Sequence, residues 1–360
     1  MKTLSTFLMA LGSLTMIAQS YQTIEAVEYD QANNRYLVSN VNSIIARQAD
    51  GTLAYFGDGN KASYGMEIIG NTLFAIHSTQ SSNTIYGYDL TTEEEVMELT
   101  IPGADFLNGM GSDGVSKLWV SDFGNYEILE IDVADLDNPS FTVVVGDTGS
   151  KPNGVVYDET EDRILFCSWG FNAPIKAINP DTYEVTTLVT TNLDYCDGID
   201  NDSDNNFFVS SWQPTRITKF NSDFTTDEIV TAPGLENPAD ISYAQDVDTL
   251  AVANSGNETV SFIGFGTTGI LDMSKDELKL DIYPNPVSQT SIISFYNPVN
   301  QRVRLIIVDG QGKIHSQLLD EDLSPGEHRV LLAGYTFAAG YYICEIQYEG
   351  SVLQFPFLVE

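Results

Sequence analysis

One pattern recurs six times between residues 21 and 266. A short apolar strand leads into a polar turn, and a hydrophobic strand returns and ends in a small residue. The six copies are IEAVEYDQANNRYLVSN, YGMEIIGNTLFAIHS, LNGMGSDGVSKLWVSD, PNGVVYDETEDRILFCSW, CDGIDNDSDNNFFVSSW and PADISYAQDVDTLAVAN. Their anchor positions are Glu25, Tyr64, Asn108, Asn153, Asp197 and Ala239, spaced 39, 44, 45, 44 and 42 residues apart. Two further strand-like pieces follow each copy, such as YEILEID and SFTVVVG. Four short antiparallel strands per unit predict a β-propeller blade, and six units predict a six-bladed ring. The last unit ends soon after Val260–Ile263 and has room for three strands, so the segment around Tyr21–Ile24 is expected to supply the fourth. Radial closure leaves only short sheet edges open to pairing with other chains.

The two ends differ from the repeat. Residues 1–20 read as a secretory signal: a basic start at Lys2, an apolar run from Phe7 to Ala18, and small residues at Ala18 and Ser20. The run is too short to span a bilayer, and no other stretch offers a transmembrane segment. After a linker at 267–277, residues 278–360 alternate apolar and polar positions between Gly, Pro, Asn and Asp turns. That pattern predicts a small Ig-like antiparallel β-sandwich, so the chain is expected to be all-β throughout. Cys167, Cys196 and Cys344 sit among apolar neighbours and read as buried thiols, with a Cys167–Cys196 bridge as the alternative. With 51 Asp+Glu against 16 Lys+Arg, the formal charge is −35. Such a surface repels phosphate backbones and excludes nucleic acid as a partner, while divalent cations and neutral or cationic partners remain open.

In a propeller the first strand of each blade lines the central channel, so the anchors converge at one mouth. Glu25, Asn108, Asn153 and Asp197 bring carboxylate and carboxamide oxygens there, the donor type a hard cation selects. No Cys or His stands among them, which disfavours softer metals and leaves Ca2+ as the expected cofactor. The plainer reading of Asn108-Gly109, Asn153-Gly154 and Asp197-Gly198 is turn chemistry, since both residue types tolerate positive φ. The second strands end at Asn40, His77, Asp122, Trp169, Trp212 and Asn254, which antiparallel pairing returns to the same mouth. His77, Asp122, Trp169 and Trp212 are therefore candidates to rim a pocket, the tryptophans also serving as blade-packing aromatics.

These anchors resemble the senescence-marker-protein and gluconolactonase group of six-bladed propellers. The resemblance implies a metal held by Glu25, Asn153 and Asp197, with Asn108 facing substrate. It implies hydrolysis of a lactone or related ester, with Asp197 as general base. Phe106 stands where that group often carries a substrate-gripping Arg. NHL-repeat propellers, mostly binding modules, resemble the same region, and imply a surface propeller that binds a glycan or a protein. At the other end, Tyr283-Pro284-Asn285-Pro286, the Asp309-Gly310-Gln311-Gly312 turn and Ala339-Gly340-Tyr341-Tyr342 resemble the C-terminal sorting domain of type IX secretion cargo. That implies handling by the type IX secretion machinery, and secretion or display outside the cell.

Overall fold

A computed structural model describes residues 20–230, 232–265, 280–287, 290–297, 301–309, 313–332, 337–348 and 351–359. The expected signal segment, the linker at 267–277 and the Gly310–Gly312 part of the carboxy-terminal turn lie outside the described residues. Contacts divide the chain into two compact units; the first ends at Ile263, and the second takes the chain from Gly264 together with Val247–Thr249.

The first unit is all-β and propeller-like. Its first sheet pairs Val27–Asp30, Arg35–Asn40, Ser43–Gln48 and Leu53–Tyr55 in chain order. Four more four-stranded antiparallel sheets follow, with innermost strands Met66–Ile69, Leu107–Ser112, Lys151–Asp158 and Asp194–Asn201. A sixth sheet, among the described residues, has three strands: Pro238–Ala244, Thr249–Asn254 and Thr259–Gly264. Each innermost strand neighbours the next, and the sixth returns to the first, where the Asp240 N–H donates to the Glu25 carbonyl (2.9 Å).

Alternation in each strand puts apolar residues on both faces, so the cores lie between neighbouring sheets. Leu37 packs with Leu73, Phe74 with Leu118, Phe166 with Trp119, and Cys167 with Phe207. Phe208 stacks on Tyr243 between the fifth and sixth sheets (5.3 Å). Burying each such side chain contributes about 1.5–3 kcal/mol. The innermost hairpins are closed by buried acid–base pairs, Asp30–Arg35 and Asp158–Arg163, both at 2.8 Å. The acidic stretch Asp200–Asn206 is a turn of the same kind: Asp202 accepts the Asn206 N–H and pairs with Lys219 at 3.1 Å.

The expected fourth strand of the sixth sheet does not form at Tyr21–Ile24. Thr23 has a left-handed φ of 51°, and the Gln22 N–H is held by the Asn40 side chain rather than by a neighbouring strand. Closure instead comes from packing, with Ile24, Val27 and Val38 against Ala251 and Ala253, and Tyr21 alongside.

The second unit holds a three-stranded sheet (Asp281–Tyr283, Ile292–Asn297, Gly326–Leu331) and a four-stranded one (Ile314–Leu323, Gln301–Asp309, Gly340–Tyr348, Ser351–Val359). Both contribute to one core containing Ile293, Phe295, Leu305, Ile307, Cys344 and Phe357. Asn285 ties the opening motif to the last strand by accepting the Leu358 N–H (3.1 Å). All three cysteines are buried free thiols. Among the described residues, no helix is long and apolar enough to cross a membrane.

Candidate functional site

The Asx-Gly pairs are not turns. They lie inside the innermost strands, and in the third, fourth and fifth sheets each pair coincides with a β-bulge against the second strand. A bulge re-aims the side chain it carries. None of Gly109, Gly154 and Gly198 has positive φ, and what each needs is space. A Cβ on Gly109 would lie 2.2 Å from the Asn153 carbonyl oxygen, and one on Gly154 would lie 2.5 Å from that of Asp197.

The structure brings Glu25, Asn108, Asn153 and Asp197 around one small cavity of ≈ 10 Å3 at the channel mouth. Asp240 joins them. The repeat places Ala239 at the anchor, but the carboxylate comes from the next position, where the other sheets carry Ala26, Gly65, Gly109, Gly154 and Gly198. An acid at a position otherwise restricted to Gly or Ala was the available signal. Asn153 Nδ2 donates to Asp197 Oδ1 (2.8 Å) and to the Cys196 carbonyl (3.3 Å), leaving its own Oδ1 as a cation donor. Among the described residues no hydrogen-bond donor serves the Glu25 carboxylate. The Trp212 indole N–H is buried without a well-formed partner, yet it lies close enough to Asp197 to favour the ionised form.

Burial, then repulsion from Asp197 and Asp240, pushes Glu25 up to about 8. Burial pushes Asp197 up to about 7 against the hydrogen bond from Asn153 and the nearby Trp212 indole N–H. Uncompensated carboxylates in a space this size suit a cation, because a cation would remove both the desolvation and the repulsion that raise them. Among the described residues, no three His, Cys, Asp or Glu side chains form a ready metal cluster, so the carboxamides belong to any donor set here.

Three residues beyond their anchors, three of the same strands carry a second acidic layer. Glu28, Glu67 and Asp200, joined by Asp240 one residue beyond Ala239, line a cavity of ≈ 220 Å3 whose lining includes no Lys, Arg or His. Ser112 donates to Glu67 (3.0 Å), and the Tyr243 and Asn201 N–H groups donate to Asp200. Burial is the main cause of their raised values: Glu67 to about 8, Asp200 to about 7, and Glu28 and Asp240 well above the usual range. Sequence reading missed this layer, although the shared offset of Glu28, Glu67 and Asp200 from their anchors was visible.

The rim candidates separate. Asp122 is fully buried and accepts the backbone N–H groups of Asp105, Phe106, Gly124 and Asn125, so it organises the mouth loops and has no oxygen left for a substrate. Asn40 and Asn254 likewise hold the Gln22 and Glu236 N–H groups. His77 is not among the cavity residues; it bonds Asn42 (2.8 Å), and burial and then Lys61 lower its pKa. Trp169 and Trp212 are not among the cavity residues either; they are parts of a longer aromatic arc, with Trp212 near Asp197. Tyr64 meets Phe106 (4.7 Å), Phe106 meets Phe123 (5.4 Å), and Phe123 meets Trp169 (6.0 Å). Trp169 then meets Trp212 (4.9 Å) and Tyr195 (5.0 Å), and Tyr195 meets Phe171 (5.3 Å), which is 72% exposed. Tyr64 also feels the charge of Glu25, and Trp212 that of Asp197, so both ends of the arc bear on the carboxylates.

No protein-family model matches the chain, and no curated protein matches it. Solved structures do. A protein of unknown function from Bacteroides thetaiotaomicron is similar at a TM-score of 0.55 and 12% identity, over 68% of this chain and 70% of that one. A gluconolactonase from Xanthomonas campestris is similar at 0.54 and 14%, over 68% and 86%. PorZ, a surface component of the type-IX secretion system of Porphyromonas gingivalis, aligns over 93% of this chain and 51% of its own at 12% identity; its TM-score of 0.43 is too low to support an argument. At these identities the likeness establishes the propeller-like fold alone.

Proposed function

We propose that the protein is an exported, six-bladed binding propeller with a hard divalent cation, Ca2+ in the first instance, at the mouth of its channel. Glu25, Asn153 and Asp197 would hold the ion, with Asn108 and Asp240 beside them. The observation that carries this reading is the ≈ 10 Å3 cavity these five residues share, with no basic residue in its lining. A space of this size admits about one water-sized guest. The cation then stabilises the closed ring, and the aromatic arc above it is the working face. An exposed ring such as Phe171 can stack on the apolar face of a sugar, and a chain of formal charge −35 turns away acidic polymers. The ligand is therefore a neutral glycan. Residues 278–360 serve as the export address for type IX secretion, on the strength of their motif resemblance, and residues 1–20 as the inner-membrane signal.

Lactone hydrolysis is the second reading, favoured by the match of Glu25, Asn153 and Asp197 to a metal-holding set. A cation there would supply Lewis-acid polarisation of the carbonyl. Asp197 would take the proton of the attacking water and Asn108 would orient the substrate. Phe106 replaces the expected Arg, and the cavity itself admits about one water-sized guest, so binding is the better-supported function. The test is affinity electrophoresis through a panel of neutral and acidic polysaccharides, run beside a lactone and ester screen with Ca2+ present. Retardation by a neutral glycan with no turnover supports the binding reading; turnover abolished by Asp197→Asn would replace it with the hydrolase.

A further inference from the structure

The second strands carry a hydroxyl or thiol at the residue opposite the anchor pair, and its occurrence follows the anchors. In the first sheet Ser39 Oγ accepts the Glu25 and Ala26 N–H groups (3.1 and 2.8 Å). In the third, Ser121 Oγ accepts the Gly109 N–H (2.8 Å). In the fifth, Ser210 Oγ accepts the Gly198 N–H (2.7 Å) and donates to the Ala239 carbonyl of the next sheet (2.7 Å). In the fourth sheet the residue is Cys167. Its sulfur donates to the Asp197 carbonyl (3.3 Å), the donating half of the Ser210 bridge made with a thiol, and lies beside the Gly154 N–H. Burial keeps that thiol protonated and so able to donate.

The two remaining sheets carry Ile76 and Ala253 at this position. Their anchors are Tyr64 and Ala239, which bring no carboxylate or carboxamide. There the corresponding N–H groups go to neighbouring anchors instead: Gly65 donates to the Asn108 carbonyl and Asp240 to the Glu25 carbonyl, both at 2.9 Å. The clamp is thus present in the four sheets whose anchors offer an acidic or amide oxygen, and absent from the other two.

We propose that Ser39, Ser121, Cys167 and Ser210 are positioning residues for the cation site, each holding the backbone at which its donor side chain is aimed. This inference rests on the cation reading above. The physical reason is that aiming a donor by a bulge takes the following N–H out of the regular ladder, and a buried N–H must find another acceptor. A side-chain oxygen or sulfur on the adjacent strand supplies it without moving with solvent. Cys167 is accordingly a serine equivalent rather than a reactive thiol.

The test is calcium titration calorimetry on the full chain, with amide hydrogen exchange on the calcium-free protein as an independent readout. Cys167→Ser and Ser210→Cys should bind within about threefold of the parent, because the bridge survives. Cys167→Val and Ser210→Val should weaken binding by about 10–100-fold, the range for losing a partner behind a metal ligand. The same two variants should speed exchange at Gly154 and Gly198. Ile76→Val, in the sheet that brings no carboxylate or carboxamide to the cavity, should leave affinity unchanged. If a valine variant does not fold, the Cys↔Ser exchange still decides: a Cys167→Ser protein that folds and loses binding contradicts the equivalence. Valine variants with parental affinity and unchanged exchange overturn the proposal. If the parent binds no calcium, the cation reading fails, and the clamp stands or falls on exchange at Gly154 and Gly198 alone.

Discussion

Replacing Glu67 by glutamine isolates the cost of ionising the inner acidic layer. Glu67 accepts the Ser112 hydroxyl and faces a cavity lined by Glu28, Asp200 and Asp240 with no basic residue. Burial, then repulsion from Asp200, raises its carboxyl from the ordinary 4.5 to about 8, with Asp240 adding a smaller push. Between those values the unfolded chain has released the Glu67 proton while the folded chain retains it. The folded state then binds more protons, so stability falls as pH rises across the interval. At about 1.4 kcal/mol for each pH unit, the interval from 4.5 to about 8 sets a ceiling of about 5 kcal/mol. The ≈ 220 Å3 cavity has room for several waters, which solvate the charge and bring the expected effect to about 2–3 kcal/mol. Glutamine keeps the acceptor for Ser112 and cannot ionise. Urea denaturation in EDTA, from pH 5 to 9, should show Glu67→Gln close to the parent at pH 5 and more stable by that amount at pH 9. Parallel curves for the two proteins would refute the assignment of Glu67 as a carboxyl kept neutral by its surroundings.

Three further outcomes follow from the packing. Gly154→Ala would put a Cβ 2.5 Å from the Asp197 carbonyl oxygen and 2.9 Å from Gly198 Cα, backbone atoms that cannot step aside; thermal denaturation should show a loss of about 1–3 kcal/mol. Asp30→Ala would strip the buried Arg35 of its 2.8 Å partner, leaving Glu93 and the Leu90 carbonyl. Urea titration should register about 3 kcal/mol, whereas Asp320→Ala, beside the exposed Arg302, should cost under about 1 kcal/mol. Phe171→Ala removes a ring that is 72% exposed, so stability should hold within about 0.5 kcal/mol while glycan retardation falls; unchanged retardation would remove the arc from the binding face.

What could be read from the sequence was whatever the repeat enforces. Equal offsets in equal units arrive at equal heights along a channel, which is why Glu25, Asn108, Asn153 and Asp197 share a cavity although 172 residues separate the first from the last. Asp240 escaped because a one-residue difference in phase changes which side chain faces inward, and only the backbone shows that Ala239 holds the anchor's place while its neighbour supplies the acid. The glycines looked like turn residues because turns are where Asx-Gly pairs are usual; here the crowding of neighbouring innermost strands requires them. Asp122 had the chemistry of a rim ligand, but loop backbone at Asp105 and Phe106 takes its oxygens, and that depends on contacts no periodicity reports. The aromatic arc joins Phe106 and Tyr195, each two residues before its anchor, to Phe123 and Phe171 from the segments after the second strands, and that convergence emerges only in three dimensions.

On this reading the convergent anchors hold a hard cation. Calcium titration of the EDTA-stripped full chain, beside Asp197→Ala, tests it most directly. With Glu25 near 8 and Asp197 near 7 in the calcium-free protein, binding must expel protons, so affinity should rise from pH 6 to pH 8. The account predicts one saturable site per chain with that pH dependence, abolished by Asp197→Ala in a folded protein. No saturable binding by the parent, or equal binding by the variant, would contradict it and leave the carboxylates as a protonated lining of the channel.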